Sequence, residues 1–266
     1  MREVRQIRRT DYLGAGDHVQ GIRLVYHGLF RQDEAADRRH IETDTDDNDD
    51  STFRFVCDRS SAGDDPVNAL WVLDTVTGLE RIAADPRSLL DPDADASLPA
   101  AERARRERMR EGAGGITAYA TDPEVRVVAF ALAGRLYVGG LLSATARELA
   151  VPGPVFDPRP DPTARRVAYV SGRTLRVAHL DGTSIEVAGD PSPTVSWGSA
   201  DFIAAEEMGR SRGYWWSPNG DAIVCTRVDT APVSTWYIAN PGEPSQEPNP
   251  VRYPAAGTAN ADVTLH

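Results

Sequence analysis

The chain has 266 residues, of which 41% are hydrophobic, and it carries a formal net charge of −11 at pH 7. A chain of this size and composition can bury a substantial core, which excludes disorder over its whole length. The negative charge repels phosphate backbones and anionic lipids, so we expect neither a nucleic acid nor a membrane as a partner.

Neither the first residues nor the cysteines indicate export or a metal centre. Residues 1–9 are polar and basic, without the apolar stretch of a signal peptide, which favours a cytoplasmic location. Cys57 and Cys225 are far apart, with no CxxC pair and no histidine at zinc spacing. We therefore expect two idle thiols, no metal and no cofactor.

Residues 1–52 form an acidic segment to which the patterns assign no fold. It ends in the charged run 42–50, which is typical of a solvated loop. Three side chains of this run alternate as in a calcium loop: Asp44, Asp46 and Asn48. The pattern then fails, because Asp49 stands where an EF-hand requires Gly and Phe55 where it requires Glu. A cation-binding module on residues 42–50 is the weakest of three functional hypotheses.

From residue 53 onward, short β-rich segments alternate with turns and repeat. Asp122-Pro123 precedes one apolar segment, and Asp161-Pro162 precedes the next, 39 residues later. A period of about 40 residues with tight turns is typical of propeller blades, which need neighbours to bury both faces. For residues 53–266 we predict an all-β fold, a partial β-propeller of four-stranded antiparallel blades with one inserted helix.

Two spacings exceed this period and indicate insertions, which in repeat folds lie on one face. The first contains the predicted helix, residues 99–111, with Ser97 as its cap and Gly112 at its end. Its five arginines, taken alone, are typical of a solvated helix with Glu/Arg pairs. The second insertion, 197–216, contains Glu206-Glu207, a pair that without context is typical of a wet surface.

Five parts of the chain, taken in order, carry a resemblance to a known family. They are Arg106–Arg110 with Gly115–Tyr119, Asp201–Ile203 with Glu206-Glu207, Gly213–Pro218, Arg252–Pro254 and Gly257–Asn260. Together they resemble the dipeptidyl peptidase IV family of serine exopeptidases, and within it the cytosolic members. The resemblance covers roughly residues 53–266.

In that family a propeller lies over an α/β-hydrolase domain, and a Glu-Glu pair holds the substrate's free N-terminal ammonium. The resemblance implies this role for Glu206 and Glu207, whose carboxylates can offer convergent acceptors to an ammonium. Consecutive strand residues point to opposite faces, so we expect the pair on a helical turn or irregular loop. The resemblance also implies that one arginine reaches a substrate carbonyl, and we place it among Arg105, Arg106 and Arg110.

We expect no catalytic residue here, since the resemblance stops before the hydrolase half. We therefore predict that the chain contains no nucleophile elbow and no Ser-His-Asp triad. The predicted function is substrate gating and N-terminal amine binding by the propeller part of a serine dipeptidyl peptidase, which releases N-terminal dipeptides. The alternative is a stand-alone propeller used as an interaction scaffold.

The expected partners follow from the same resemblance. They are a peptide with a free N-terminus and the α/β-hydrolase domain of a full-length parent. Self-association is a further expectation, because a partial ring leaves strand edges and blade faces exposed.

Overall fold

The structure is a computed structural model that describes residues 54–61, 65–74, 78–90, 99–141, 143, 145–239, 241–242 and 245–266. The whole predicted N-terminal segment, residues 1–52, lies outside the described residues, and so do its calcium-like run at 42–50 and the predicted helix cap Ser97. The described chain consists of four β-sheets, one separate hairpin and three helices.

Sheet 1 contains three antiparallel strands and one short parallel strand. Its strands are β1 (Arg54–Ser60), β2 (Val67–Asp74), β3 (Glu80–Ala84) and β4 (Gly114–Gly115). Strand β4 departs from the antiparallel pattern, since it pairs parallel with β2. Between β3 and β4 lie the helices α1 (Pro86–Leu89) and α2 (Ala100–Met109).

Sheets 2 and 3 are four-stranded antiparallel meanders in chain order. Sheet 2 contains β5 (Tyr119–Thr121), β6 (Val127–Leu132), β7 (Arg135–Gly140) and β8 (Thr145–Leu149). Sheet 3 contains β9 (Val155–Pro160), β10 (Arg166–Ser171), β11 (Thr174–His179) and β12 (Ser184–Ala188). Strand β9 packs against β5 and β6, whereas β8 and β12 are largely exposed. The first strands therefore lie on the inner side of these sheets.

Sheet 4 is interrupted by the second insertion. Strands β13 (Val195–Trp197) and β14 (Tyr214–Trp216) both pair with β15 (Ile223–Asp229), at opposite ends of it. Strand β18 (Asp262–Leu265) pairs with the other side of β15. The helix α3 (Phe202–Glu206) lies between β13 and β14, and the hairpin of β16 (Thr235–Ile238) and β17 (Asn249–Arg252) lies between β15 and β18.

The core is divided into layers between neighbouring sheets. Val128 and Phe130 of β6 pack with sheet 1, and the intervening Ala129 packs with sheet 3. Val167 and Tyr169 of β10 likewise face sheet 2. Successive strand residues point to opposite faces, so each middle sheet is buried on both. This stacking of sheets confirms the predicted blade architecture.

The repeated Asp-Pro motif forms the turn between the first and second strands of a blade. The buried Asp122 carboxylate accepts hydrogen bonds from the backbone N–H groups of Arg126 and Val127, at 2.8 and 2.7 Å. The buried Asp161 carboxylate likewise accepts backbone hydrogen bonds, from the N–H groups of Thr163 and Arg165. The motif is therefore structural, because each carboxylate satisfies turn donors that burial would otherwise leave unpaired.

Candidate functional site

The helix α3 lies in the second insertion, between strands β13 and β14 of sheet 4. Asp201 is the N-cap residue, and its carboxylate accepts a hydrogen bond from the Ala204 N–H at 3.3 Å. Glu206 is the last residue of α3 and Glu207 is its C-cap residue, in right-handed helical conformation. Both glutamates are exposed. They lie on a helical turn, as predicted. Consecutive residues on a strand would point to opposite faces and could not share a ligand.

The helix α2 is held to its surroundings by polar contacts, since none of its residues is buried. The Glu102 carboxylate accepts hydrogen bonds from the guanidinium groups of Arg105 and Arg106. Arg105 also donates to the Thr117 hydroxyl at 2.8 Å, and Arg106 donates to the Gly115 carbonyl at 3.2 Å. Burial opposes ionisation of Glu102, but the two arginines outweigh it and lower its pKa.

Arg108 joins the two insertions. Its guanidinium Nε donates to Glu206 Oε1, so α2 contacts α3 across 98 residues of chain. About a third of each side chain is exposed, 32% for Arg108 and 35% for Glu206. Among the described residues, the Glu207 carboxylate accepts no hydrogen bond and forms no ion pair. The contact places a cation at one glutamate and leaves the other open to solvent.

The structure therefore assigns different surroundings to the predicted arginines. Arg105 and Arg106 are partly buried and engaged with Glu102 and the segment after α2. Arg110 is exposed and ends the helix in left-handed conformation, with φ 52°. Arg108, which the sequence prediction omitted, is the arginine that touches the glutamate pair. The periodicity of α2 could not show this, because the contact depends on the relative placement of two insertions.

The expectation that no nucleophile-elbow pentapeptide is present is wrong at the level of sequence. Residues 209–213 read Gly-Arg-Ser-Arg-Gly, which fits GxSxG. The pentapeptide runs from α3 to β14, whereas a nucleophile elbow runs from a strand to a helix. Among the described residues, no hydrogen bond joins Ser211 to a histidine.

Both glycines of this pentapeptide have a structural explanation. Gly209 has φ 60°, which favours glycine. A Cβ on Gly213 would lie 2.5 Å from the backbone of Gly198 and Ser199. The two glycines are therefore explained by backbone geometry, where the chain runs from α3 back into sheet 4.

Within the described residues, no group of three or more His, Cys, Asp or Glu side chains is arranged to hold a metal ion. In the same part of the chain, no helix is long and apolar enough to span a membrane. The predicted location remains untested by these observations.

Comparison with known proteins adds independent information. The family model described as "Dipeptidyl peptidase IV (DPP IV) N-terminal region" matches residues 118–266, more than half of the chain. Dipeptidyl peptidase 8 of Mus musculus is 26% identical over 195 residues, covering 62% of this chain and 22% of the mouse protein. Dipeptidyl aminopeptidase B of Saccharomyces cerevisiae is 27% identical over 101 residues, covering 36% of this chain and 11% of the yeast protein.

Dipeptidyl peptidase 8 of Homo sapiens is 30% identical over 89 residues, covering 30% of this chain and 10% of the human protein. The matched part of the chain thus spans 22% or less of the length of each of these relatives.

Proposed function

This chain belongs to the family of the dipeptidyl peptidase IV N-terminal region, and on that premise we propose that it is the propeller part of a serine dipeptidyl peptidase. In this proposal, Glu206 and Glu207 bind the free N-terminal ammonium of a peptide substrate. An α/β-hydrolase domain of the full-length parent supplies the serine nucleophile. The propeller admits substrates and selects those with a free amino end.

The observation that carries the proposal is the ion pair between Arg108 and Glu206. The two insertions were predicted from separate interruptions of the repeat, and each resembles a substrate-binding segment of the family. Their side chains meet in this structure at a partly exposed position. Exposed ion pairs contribute little to stability, so this contact alone would not bring two unrelated surface segments together. A shared binding role explains why the two insertions meet.

The charges at this position suit an ammonium ligand. An ammonium has three donors, and each carboxylate offers two acceptor oxygens. Glu207 is open to solvent, and Glu206 already accepts a hydrogen bond from a cationic side chain. An N-terminal ammonium would bind Glu207 and share Glu206 with Arg108. An acetylated N-terminus lacks the charge and two of the donors, so it would be rejected.

The structure also changes which arginine we propose for the substrate carbonyl. Arg105 and Arg106 would have to abandon partly buried hydrogen bonds with Glu102 to reach a ligand. Arg108 donates from the Nε edge of its planar guanidinium to Glu206, and its remaining N–H groups can still donate to a ligand. We therefore assign the carbonyl-binding role to Arg108.

Calorimetric titration tests the proposal with a pair of peptides, one with a free N-terminus and one N-acetylated. The 266-residue chain should bind the free peptide and not its acetylated twin. Glu206→Gln and Glu207→Gln should each abolish this discrimination, whereas the control Glu186→Gln, at an exposed position on β12, should retain it. Equal binding of both peptides by the wild-type chain would refute the proposed amine site.

A further inference from the structure

The helix α3 is too short to be stable by itself. It has five residues, and isolated helices shorter than about 12 residues are marginal in water. Only Ala204 among its residues is buried, and a single methyl group contributes little hydrophobic stabilisation. The direction in which Glu206 and Glu207 point must therefore depend on side-chain contacts with other elements.

One such contact is aromatic and reaches the hairpin of β16 and β17. The Phe202 ring, in the first turn of α3, packs edge-on against Tyr253, with ring centroids 5.3 Å apart and planes at 78°. Tyr253 packs in the same manner against Trp236 of β16, at 5.3 Å and 70°. Edge-to-face geometry at this separation is favourable for aromatic rings. Three rings thus connect α3 to the hairpin.

The central ring is held at a defined position by the chain around it. The Tyr253 N–H donates to the Ser234 carbonyl at 3.1 Å. The neighbouring Arg252 donates from Nη1 to the Val233 carbonyl at 2.6 Å, and Val233 itself is buried. Tyr253 therefore stands on the base of the hairpin, and a movement of this base would move the ring that supports α3.

We propose that Tyr253 is a positioning residue for the glutamate pair, and that the hairpin of β16 and β17 sets the position of α3 through the Trp236–Tyr253–Phe202 contacts. As to ligand binding, this inference rests on the function proposed above. Trp236 and Tyr253 are 50% and 40% exposed, so the rings are not fixed by deep burial. The hairpin thereby tunes how well Glu206 and Glu207 hold an ammonium.

Hydrogen–deuterium exchange of the α3 amides tests the physical link without any ligand. The relevant amides are those of Ala205 and Glu207, which donate to the carbonyls of Asp201 and Ile203. Tyr253→Ala should accelerate their exchange, on the order of threefold to tenfold, because a supporting ring contact is lost and local opening becomes easier. Tyr253→Phe should exchange like the wild type, since it retains the ring.

The matched control is Tyr237→Ala on the same hairpin. Tyr237 is 72% exposed, and in the described part of the chain its ring does not contact α3. It should leave exchange of the α3 amides unchanged. Wild-type exchange in Tyr253→Ala would overturn the proposal, as would an equal acceleration in Tyr237→Ala, which would indicate general loosening.

Binding provides the second readout. Tyr253→Ala should weaken binding of the free-amine peptide severalfold, and Tyr253→Phe should restore it. Faster exchange with unchanged affinity would refute the positioning role. A wild-type chain that fails to distinguish free from acetylated peptide would instead refute the amine site, while the exchange experiment would still report whether Tyr253 supports α3.

Discussion

Burial opposes ionisation of the Asp58 carboxylate on β1. Desolvation, assisted by the nearby charge of Glu111, raises its pKa from 3.8 to about 6. Between these pH values the folded chain holds a proton that the unfolded chain has lost, so stability falls as the pH rises through this range. Above pH 6 the charged Asp58 remains a cost to folding.

We therefore expect Asp58→Asn to stabilise the chain at pH 8, by about 1–3 kcal/mol, and to have little effect below pH 4. Asn retains the size of the side chain and removes the charge. Urea unfolding at several pH values measures the difference. If Asp58→Asn changed the free energy of unfolding by the same amount at pH 4 and pH 8, the raised pKa of Asp58 would be contradicted.

At single positions, the sequence predicted which residues are candidates for binding but not which side chains they contact. The Glu-Glu pair was identified from its motif, and its expected placement on a helical turn agrees with α3. Arg108 was missed, because its contact with Glu206 arises only when two distant insertions fold together. The function proposed for these residues remains a prediction.

At the scale of elements, α2 depends on Glu102, whose carboxylate receives bonds from both Arg105 and Arg106. Glu102→Gln should destabilise the chain by about 1–3 kcal/mol, since it removes charge-assisted hydrogen bonds. The lowered pKa of Glu102 means that its contribution is present above the ordinary value of 4.5 and is lost as the pH falls through the folded-state value.

The matched control is Glu107→Gln on the exposed side of the same helix, which should alter the free energy of unfolding by only a few tenths of a kcal/mol. Thermal and urea unfolding compare the two variants at pH 7. Equal stability of Glu102→Gln and wild type would show that α2 is held by other contacts.

The ends of α2 show the limit of sequence patterns for elements. A helix at 99–111 was predicted and Ala100–Met109 is observed, so its existence is confirmed. Pro99 is the N-cap residue, and Arg110 instead of Gly112 takes the left-handed conformation. Glycine preference alone could not locate this end, because Arg106 fixes the chain by donating to the Ala113 and Gly115 carbonyls.

At the scale of the whole molecule, sheet 4 has an exposed outer face. Cys225 packs towards sheet 3, so the adjacent Val224 points the opposite way and is 50% exposed. Leu265 of β18 is 66% exposed. The sequence predicted exposed blade faces of this kind. The 39-residue repeat predicts a few blades only, and a partial ring leaves its terminal blades without a neighbouring sheet.

We therefore expect the isolated chain to self-associate at high concentration, with a mass that rises in static light scattering. Val224→Glu should reduce the association by placing a charge on the outer face. The control Leu79→Glu, between β2 and β3, should reduce it less. A wild-type mass that stays monomeric at every concentration would contradict the expectation.

The chain alone should release no dipeptide from a chromogenic substrate. Its GxSxG match lacks the strand-to-helix context of a nucleophile, and among the described residues no hydrogen bond joins Ser211 to a histidine. The assay combines purified chain, substrate and a fluorophosphonate probe, with Ser211→Ala as the control. Turnover and labelling that disappear in Ser211→Ala would show that this chain carries its own nucleophile.

The central claim is that Glu206 and Glu207 recognise a free amino end, and carboxyl NMR of the glutamate-labelled chain tests it most directly. Titration with a free-amine peptide should shift the side-chain carboxyl signals of Glu206 and Glu207, while the signal of Glu186 stays in place. The acetylated peptide should shift none of them. If the free peptide left both signals unmoved, or if both peptides moved them alike, the account of this site would be wrong.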